Sequence, residues 1–379
     1  MVIGIVAMLL VIGLVMVYSA SSVDAYNDYG DSAYFLKRQA VFMVLGIICA
    51  LVVIALTPRI WSHNVLIGIW VASVALLVLT MALGYVGLGA KRWISIGPFS
   101  FQPSEFAKIA MMLLAADLIV RYQDGELEGG FKELVIGLVV AILVPSVVIL
   151  MQPDLGTTIV ALVATLAVLW FGEINRKWVI LFCVAVIVVG VVAIATMGFR
   201  STRITAWLDP ESDPYGSGYQ SLNSYYAFAN GGIFGVGLGN STQKYEYLTY
   251  AYNDFIFAII GEEGGLVGAV FVMALYFFLV FFSFRIGSHA NSRFGMIVCN
   301  SSAVTIAFQA FLNIACVCGV LPVTGKPLPL ISYGGSSMLA TMILVGIILS
   351  VSFKDSGDGA DSRRSSIRVR SQDGLDLAG

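Results

Sequence analysis

Charge is the scarcest thing in this sequence. Of 379 residues, only 12% are Asp, Glu, Lys or Arg, about half the share of an ordinary soluble domain. Set against 59% hydrophobic residues, that shortage excludes a disordered chain and a soluble globule. Histidine is almost missing too. His63 and His289 each sit in a short polar break, which leaves no material for a multi-histidine metal centre or a histidine triad. The five cysteines (Cys49, Cys183, Cys299, Cys316, Cys318) lie in or beside apolar runs without metal-ligand spacing, and read as buried membrane thiols. An excess of either sign is also lacking. With 21 basic and 23 acidic residues the net charge is −2, so nothing attracts a nucleic acid.

What the chain does have is long apolar runs. A helix needs about 20 mostly apolar residues to cross the hydrocarbon. Charge-free intervals at 1–23, 39–58, 60–90, 134–153, 155–172, 178–199, 264–284, 294–325 and 327–353 supply nine spans. A tenth is expected near 104–120, interrupted by Glu105, Lys108 and Asp117, because without it Arg121 to Glu133 would fall on the wrong side of the next span. The expected fold is an all-α polytopic integral membrane protein with ten transmembrane helices in a membrane domain over 1–353. One large extracytoplasmic loop, 198–254, separates spans seven and eight, and a disordered cytoplasmic tail covers 354–379. The first run lacks a basic leader and reads as a retained span rather than a signal peptide. Ten spans put both termini on one side. Lys and Arg assign that side to the cytoplasm, by an excess that the tail alone supplies.

The orienting signal is weak because the presumed outer loops keep Lys91, Arg92, Arg200, Arg203, Lys244 and Lys326. Cations held where topology disfavours them suggest an anionic ligand. Pairing with outer carboxylates such as Asp209 and Glu246 is the competing reading. The 198–254 loop is rich in Gly, Ser, Asn and aromatics, Trp207, Tyr215 and Tyr219 among them. Those aromatics argue for order against the membrane surface.

Four segments carry chemistry. In GAKRWISIGPFSFQPSEFAK (89–108), Lys91, Arg92 and Trp93 form a cationic and aromatic cluster, and Glu105 and Lys108 share one helical face. Ionisable groups inside a span cost about 2.5–3.5 kcal/mol each to insert and are functional candidates by default; an interfacial anchor with an internal ion pair is the alternative. In QPDLGTT (152–158), Pro153 and Gly156 isolate Asp154, which either pairs with Lys108 or caps the following helix. In YNDFIFAIIGEEGG (252–265), Asp254 ends the long loop and Glu262 and Glu263 follow. Each is a candidate general base, cap or ion-pair partner. In LPVTGKPLPLISYGGSS (321–337), three prolines and three glycines predict a re-entrant, non-helical segment. Such backbone is tolerated only where it is buried or lines a cavity. The N–H groups around Ser332, Gly334 and Gly335 could take phosphate oxygens, and a structural plug is equally consistent. GVGLG at 235–239 lacks the strand–helix context of a nucleotide fingerprint.

Taken in order, GLVMVYSASS (13–22), GAKRWI with FQPSE, QPDLGT, GSGYQS (216–221), GGIFGVGLGNSTQK (231–244), NDFIFAIIGEE and LPVTGKPLPLISYGGSS resemble the SEDS family of polytopic membrane proteins, the FtsW, RodA and SpoVE group. The strings look most like its division branch. The resemblance implies a peptidoglycan glycosyltransferase that polymerises lipid II, the polyprenyl-pyrophosphate-linked disaccharide pentapeptide, at the outer face of the cytoplasmic membrane. It also implies a class B penicillin-binding protein and other division proteins as partners. The family's essential aspartate falls on Asp254, and its lysine after QPSE falls on Lys108. Where members often read Leu-Pro-Glu-Ala-His, this chain has Leu248, Thr249, Tyr250, Ala251 and Tyr252, so no helper Glu or His carries over. Ser100 stands where some members have Arg.

In the implied inverting reaction, Asp254 is the base. Lys108, Arg92 and Arg203 are candidates for the pyrophosphate, a divalent cation (Mg or Mn) is a candidate helper, and Trp93, Glu105, Asp154, Lys244, Ser332, Gly334 and Gly335 are candidate substrate contacts. The rival class is a transporter that flips lipid II. Within the family, elongation and sporulation are the rival roles.

Overall fold

The computed structural model describes residues 1–353 apart from 88, 89, 97, 98, 197, 246 and 249, with backbone alone for 57–60, 85–87, 90, 96, 99, 189–196 and 198–202. The expected tail, 354–379, lies outside the described residues. The chain is built of α1 (Val2–Tyr29), α2 (Tyr34–Ile60), α3 (His63–Leu83), a small sheet of β1 (Tyr85–Gly87), β2 (Ala90–Ile96) and β3 (Phe99–Phe101), α4 (Pro103–Gln123), α5 (Gly130–Met151), α6 (Leu155–Phe171) and α7 (Arg176–Thr196). After these come α8 (Gly198–Leu208), α9 (Tyr219–Gly231), α10 (Ile256–Gly287), α11 (Arg293–Val317) and α12 (Gly335–Phe353).

Seven of these helices, α1, α2, α3, α5, α10, α11 and α12, are long and apolar enough to cross a membrane. α4 fails on composition, for a physical reason. It is the central helix, packed by α3, α5, α6 and α11; most of its residues are buried, Glu105 and Lys108 included, and none is exposed. A helix that never meets lipid need not be apolar. α6 begins at the residue after Asp154, whose carboxylate accepts the Thr157 N–H at 3.2 Å and caps the first turn.

Three features depart from the expectation of uninterrupted helices. The run 60–90 is not one span: α3 ends at Leu83, and an antiparallel sheet follows, with Tyr85 opposite Trp93 and Ile94 opposite Phe101. The run 294–325 stops at Val317, and α12 starts only at Gly335. The intervening segment contains no helix, as its prolines and glycines predict.

The third departure is in α10, where Gly265 is non-helical (φ 64°, ψ −166°) and divides the helix in two. The orphaned backbone groups on both sides are taken up by the loop after α9. Val236 N–H donates to Glu262 O at 3.0 Å and Gly237 N–H to Glu263 O at 3.1 Å. In return, Leu266 and Val267 N–H donate to Gly232 and Ile233 O at 2.9 and 3.1 Å. This explains GVGLG. Gly235 has φ 79°, and a Cβ there would overlap the Glu263 carbonyl oxygen. Gly235→Ala is therefore expected to destabilise the protein by about 2–4 kcal/mol, from left-handed strain plus overpacking. Thermal unfolding in detergent checks it, with Gly239→Ala, where no atom is near, as the milder comparison.

Candidate active site

The end of α4 that carries the FQPSE string is the base of the site. Lys108 Nζ donates to Glu105 Oε2 at 2.5 Å and to Gln309 Oε1 of α11 at 2.8 Å. Glu105 Oε1 accepts from Lys326 Nζ at 3.1 Å, and Lys326 also lies 3.4 Å from Asp154 Oδ1 and donates to Thr157 Oγ1. Asp154 Oδ2 accepts from Gln102 Nε2 at 2.7 Å, Ser104 Oγ at 3.1 Å and Thr157 Oγ1 at 2.6 Å. Two cations and two carboxylates thus cancel inside the protein, where an unpaired charge would be very costly. Burial alone would raise the Asp154 pKa; the Lys326 ammonium and the Thr157 hydroxyl outweigh it and hold the group at about 2.

This cluster fixes the non-helical segment after α11. Asn313 Nδ2 donates to Lys326 O and to Asp254 O, both at 2.7 Å, so one side chain of α11 ties the segments around Asp254 and Lys326 together. Gly325, at φ 69°, faces the Asp254 carboxylate, and a Cβ there would stand 3.7 Å from Oδ2. Next to Gly325 opens a cavity of about 80 Å³, lined by Arg92, Asp154, Gly156, Arg203, Val323 and Thr324 among others. Arg92 enters it from β2, donating to Gln152 O at 2.9 Å and Pro153 O at 2.6 Å. Arg203 comes from α8 and donates to Val323 O at 2.9 Å. Asp254 is half-buried at the mouth of α10. Burial raises its pKa above the ordinary carboxylate value, and the Arg203 guanidinium works in the opposite direction.

Of the residues singled out in the sequence, Arg92, Arg203 and Asp154 therefore line one cleft, Asp254 stands near its edge by Gly325 and within the field of Arg203, and Glu105 and Lys108 join the charge cluster next to Asp154. Asp154 does not pair with Lys108; its cation is Lys326. Trp93 follows Arg92 in β2, where the pairing with β1 shifts register, and it is not among the residues that line the cleft. Lys244 is elsewhere: it lies 3.7 Å from Glu263 Oε1, which also accepts from Ser19 Oγ at 2.6 Å. Glu262 holds the 241–243 turn, accepting from Thr242 N at 3.1 Å and Thr242 Oγ1 at 2.7 Å. Both glutamates act as loop fasteners.

Ser332 accepts the Leu328 N–H at 2.8 Å, and Gly335 lets the backbone pass close to the Phe42 ring. These two hold the turn into α12, Gly334 rests against Pro327, and residues 322–324 line the cleft instead. Sequence reading overlooked Gln102, Thr157, Gln309 and Asn313, although Gln309 and Asn313 stand out as large polar residues in an apolar run. Among the described residues, no three His, Cys, Asp or Glu side chains gather as a metal ligand set.

Seven membrane-competent helices among the described residues, packed around a neutralised interior charge cluster, define a polytopic membrane protein. The chain belongs to the FtsW/RodA/SpoVE family, whose model, described as "Cell cycle protein", matches residues 1–357. It is 38% identical to the probable peptidoglycan glycosyltransferase FtsW of Mycobacterium tuberculosis, over 92% of this chain and 66% of that protein. The same identity links it to the Trichlorobacter lovleyi protein of that name, over 90% and 89%, and it is 39% identical to stage V sporulation protein E of Bacillus subtilis, over 91% and 94%. The chain thus spans slightly less than two thirds of the mycobacterial relative and most of the other two. Among solved structures it matches a chain reported under the words "Structural coordination of polymerization and crosslinking by a peptidoglycan synthase complex", with TM-score 0.71, 27% identity and coverage of 93% and 97%. It also matches the Thermus thermophilus rod shape determining protein RodA, with TM-score 0.67, 25% identity and coverage of 92% and 95%.

Proposed function

We propose that this chain is a peptidoglycan glycosyltransferase that polymerises lipid II at the outer face of the cytoplasmic membrane, in the division branch of its family. The observation that carries the reading is the pairing of one half-buried carboxylate, Asp254, with a cleft that holds Arg92 and Arg203. The names of the relatives point to the same activity. In this reading the ten spans are α1 to α7 and α10 to α12, both termini are cytoplasmic, and α8 and α9 belong to the outer loop.

The reaction follows from that geometry. The 4-hydroxyl oxygen of the acceptor sugar attacks the anomeric carbon of the donor, and its proton goes to the Asp254 carboxylate. The bond from that carbon to the polyprenyl pyrophosphate breaks, and the electron pair stays on the pyrophosphate oxygen. Arg92 and Arg203 face the charge that develops there. Attack opposite the leaving group inverts the configuration. Lys108 and Glu105 act from beneath, as parts of the cluster that holds Lys326 and with it the cleft wall. A single-span class B penicillin-binding protein would supply crosslinking, docking on lipid-facing α10 and α11. The exposed side chains of α10 there are Leu266, Val267, Val270 and Phe271; Gly268 is half-buried, Ala269 is buried within the protein, and Gly265 is consumed by the helix break.

Purified protein incubated with lipid II in detergent, where flipping has no meaning, is expected to yield a ladder of glycan polymers on a gel. Absence of polymer from folded, partner-supplemented protein would overturn the assignment in favour of transport.

A further inference from the structure

Beside the cationic cleft, the site has an aromatic shelf, built from the α1–α2 corner and the turn just before Asp254. Tyr29 and Tyr34 stack at 3.8 Å with an interplanar angle of 8°. Phe35 meets Tyr252 at 4.4 Å, and Tyr252 meets Tyr250 at 6.3 Å. The shelf is tied to the site by backbone: Asn253 N–H donates to Tyr250 O at 2.9 Å, which closes a turn on the residue next to Asp254, and Tyr333 N–H donates to Tyr252 O at 2.9 Å.

Two observations separate this shelf from ordinary interfacial aromatics. Tyr250 has φ 55°, a conformation that costs a non-glycine residue about 1–3 kcal/mol and clusters at functional sites, yet its side chain is 51% exposed. Burial therefore does not repay the conformation. The surroundings are also polar rather than lipid-like: Lys37 pairs with Asp31 at 2.7 Å, and Arg38 lies over the Tyr34 ring at 5.4 Å and donates to its hydroxyl. Exposed ring faces interleaved with planar and charged hydrogen-bonding groups suit a sugar, whose C–H faces stack and whose hydroxyls and amides bond.

We propose that the exposed Tyr250 ring forms the subsite for the acceptor's N-acetylhexosamine ring, holding its 4-hydroxyl toward Asp254. This rests on the glycosyltransferase reading and deepens it. An inverting displacement requires the attacking hydroxyl to approach from the side opposite the pyrophosphate. Tyr250 belongs to the turn that leads into Asp254, and Arg203 reaches the base from α8, so the aromatic ring and the cation come to Asp254 from different elements.

The test is steady-state polymerisation of lipid II by Tyr250→Ala, Tyr250→Trp and Asp254→Asn proteins, each matched to the unsubstituted protein by thermal unfolding. Tyr250→Ala is expected to raise KM about five- to tenfold, the scale of one aromatic contact, with kcat within about twofold. Tyr250→Trp, which keeps a ring face, restores KM. Unchanged kinetics in Tyr250→Ala, or a fall in kcat with KM unchanged, overturns the subsite; the latter result makes Tyr250 a support for the turn. If Tyr250→Ala fails to fold, a Tyr250→Trp KM equal to that of the unsubstituted protein supports the subsite, and a raised one overturns it. Failure of the underlying reading looks different: the unsubstituted protein would then yield no polymer, and normal polymer from Asp254→Asn would remove the base that the subsite serves.

Discussion

Asp254→Asn is expected to abolish detectable polymer while leaving folding and membrane insertion near normal. Asparagine keeps the size and one acceptor oxygen but cannot take the proton from the attacking hydroxyl. Loss of a positioned base costs about 10²–10⁴ in rate. The structural role visible at this position is carried by the backbone: it is the Asp254 carbonyl, not its carboxylate, that accepts from Asn313. The substitution therefore removes chemistry without removing an anchor. The direction of the Asp254 shift adds a pH signature. A base works deprotonated, and burial raises this carboxyl's pKa. Activity should then climb with rising pH through a limb above the ordinary carboxylate range, and a pH–rate profile of kcat/KM reads it. A limb at or below that range, or normal polymer from Asp254→Asn, removes the base assignment.

The second large effect belongs to Lys326. Lys326→Met keeps the length of the side chain but leaves Asp154 without its cation and Glu105 with one of two. Breaking a buried pair from one side costs about 3–5 kcal/mol, because the remaining charge is stranded. We expect a loss of that order in detergent unfolding, with loss of activity as the 318–334 segment shifts. Lys326→Met combined with Asp154→Asn should recover more than half of the lost stability, because the stranded charge is gone. No recovery in the double variant would mean that Lys326 acts by packing alone, for instance through the stem that lies against Gly156.

Much of the fold was legible, and the reasons differ by element. The boundaries of α6 and the non-helical stretch before α12 came out close to their positions because charge and proline–glycine punctuation mark them directly. The hairpin of β1 and β2 did not, since it is buried in a run free of charge and a count of charge-free intervals cannot register a reversal of chain direction. The break at Gly265 was hidden for a related reason: its signal is in the partner loop at 232–237, not in α10. At the site, Asp254, Arg92 and Arg203 stood out as polar groups in unusual places. The pairing of Asp154 with Lys326 could not be read from spacing, because it joins two segments brought together only by the packing of α4, α6 and α11. Lys244 looked like Arg203 by composition and is distinguished only by the glutamate beside it.

The buried cluster also bears on how the protein is made. Glu105 and Lys108 are three positions apart, so α4 enters the bilayer already neutralised. Asp154 has no such neighbour, and the ammonium beside it belongs to Lys326, which contacts Thr157 across 169 positions and Glu105 across 221. During synthesis the α5–α6 hairpin must therefore wait, its carboxylate held by Gln102, Ser104 and Thr157 alone, until nearly the whole chain has left the ribosome. The interior of this protein closes electrostatically only when its last re-entrant segment arrives, so a chain cut before Lys326 keeps Asp154 without the ammonium it pairs with.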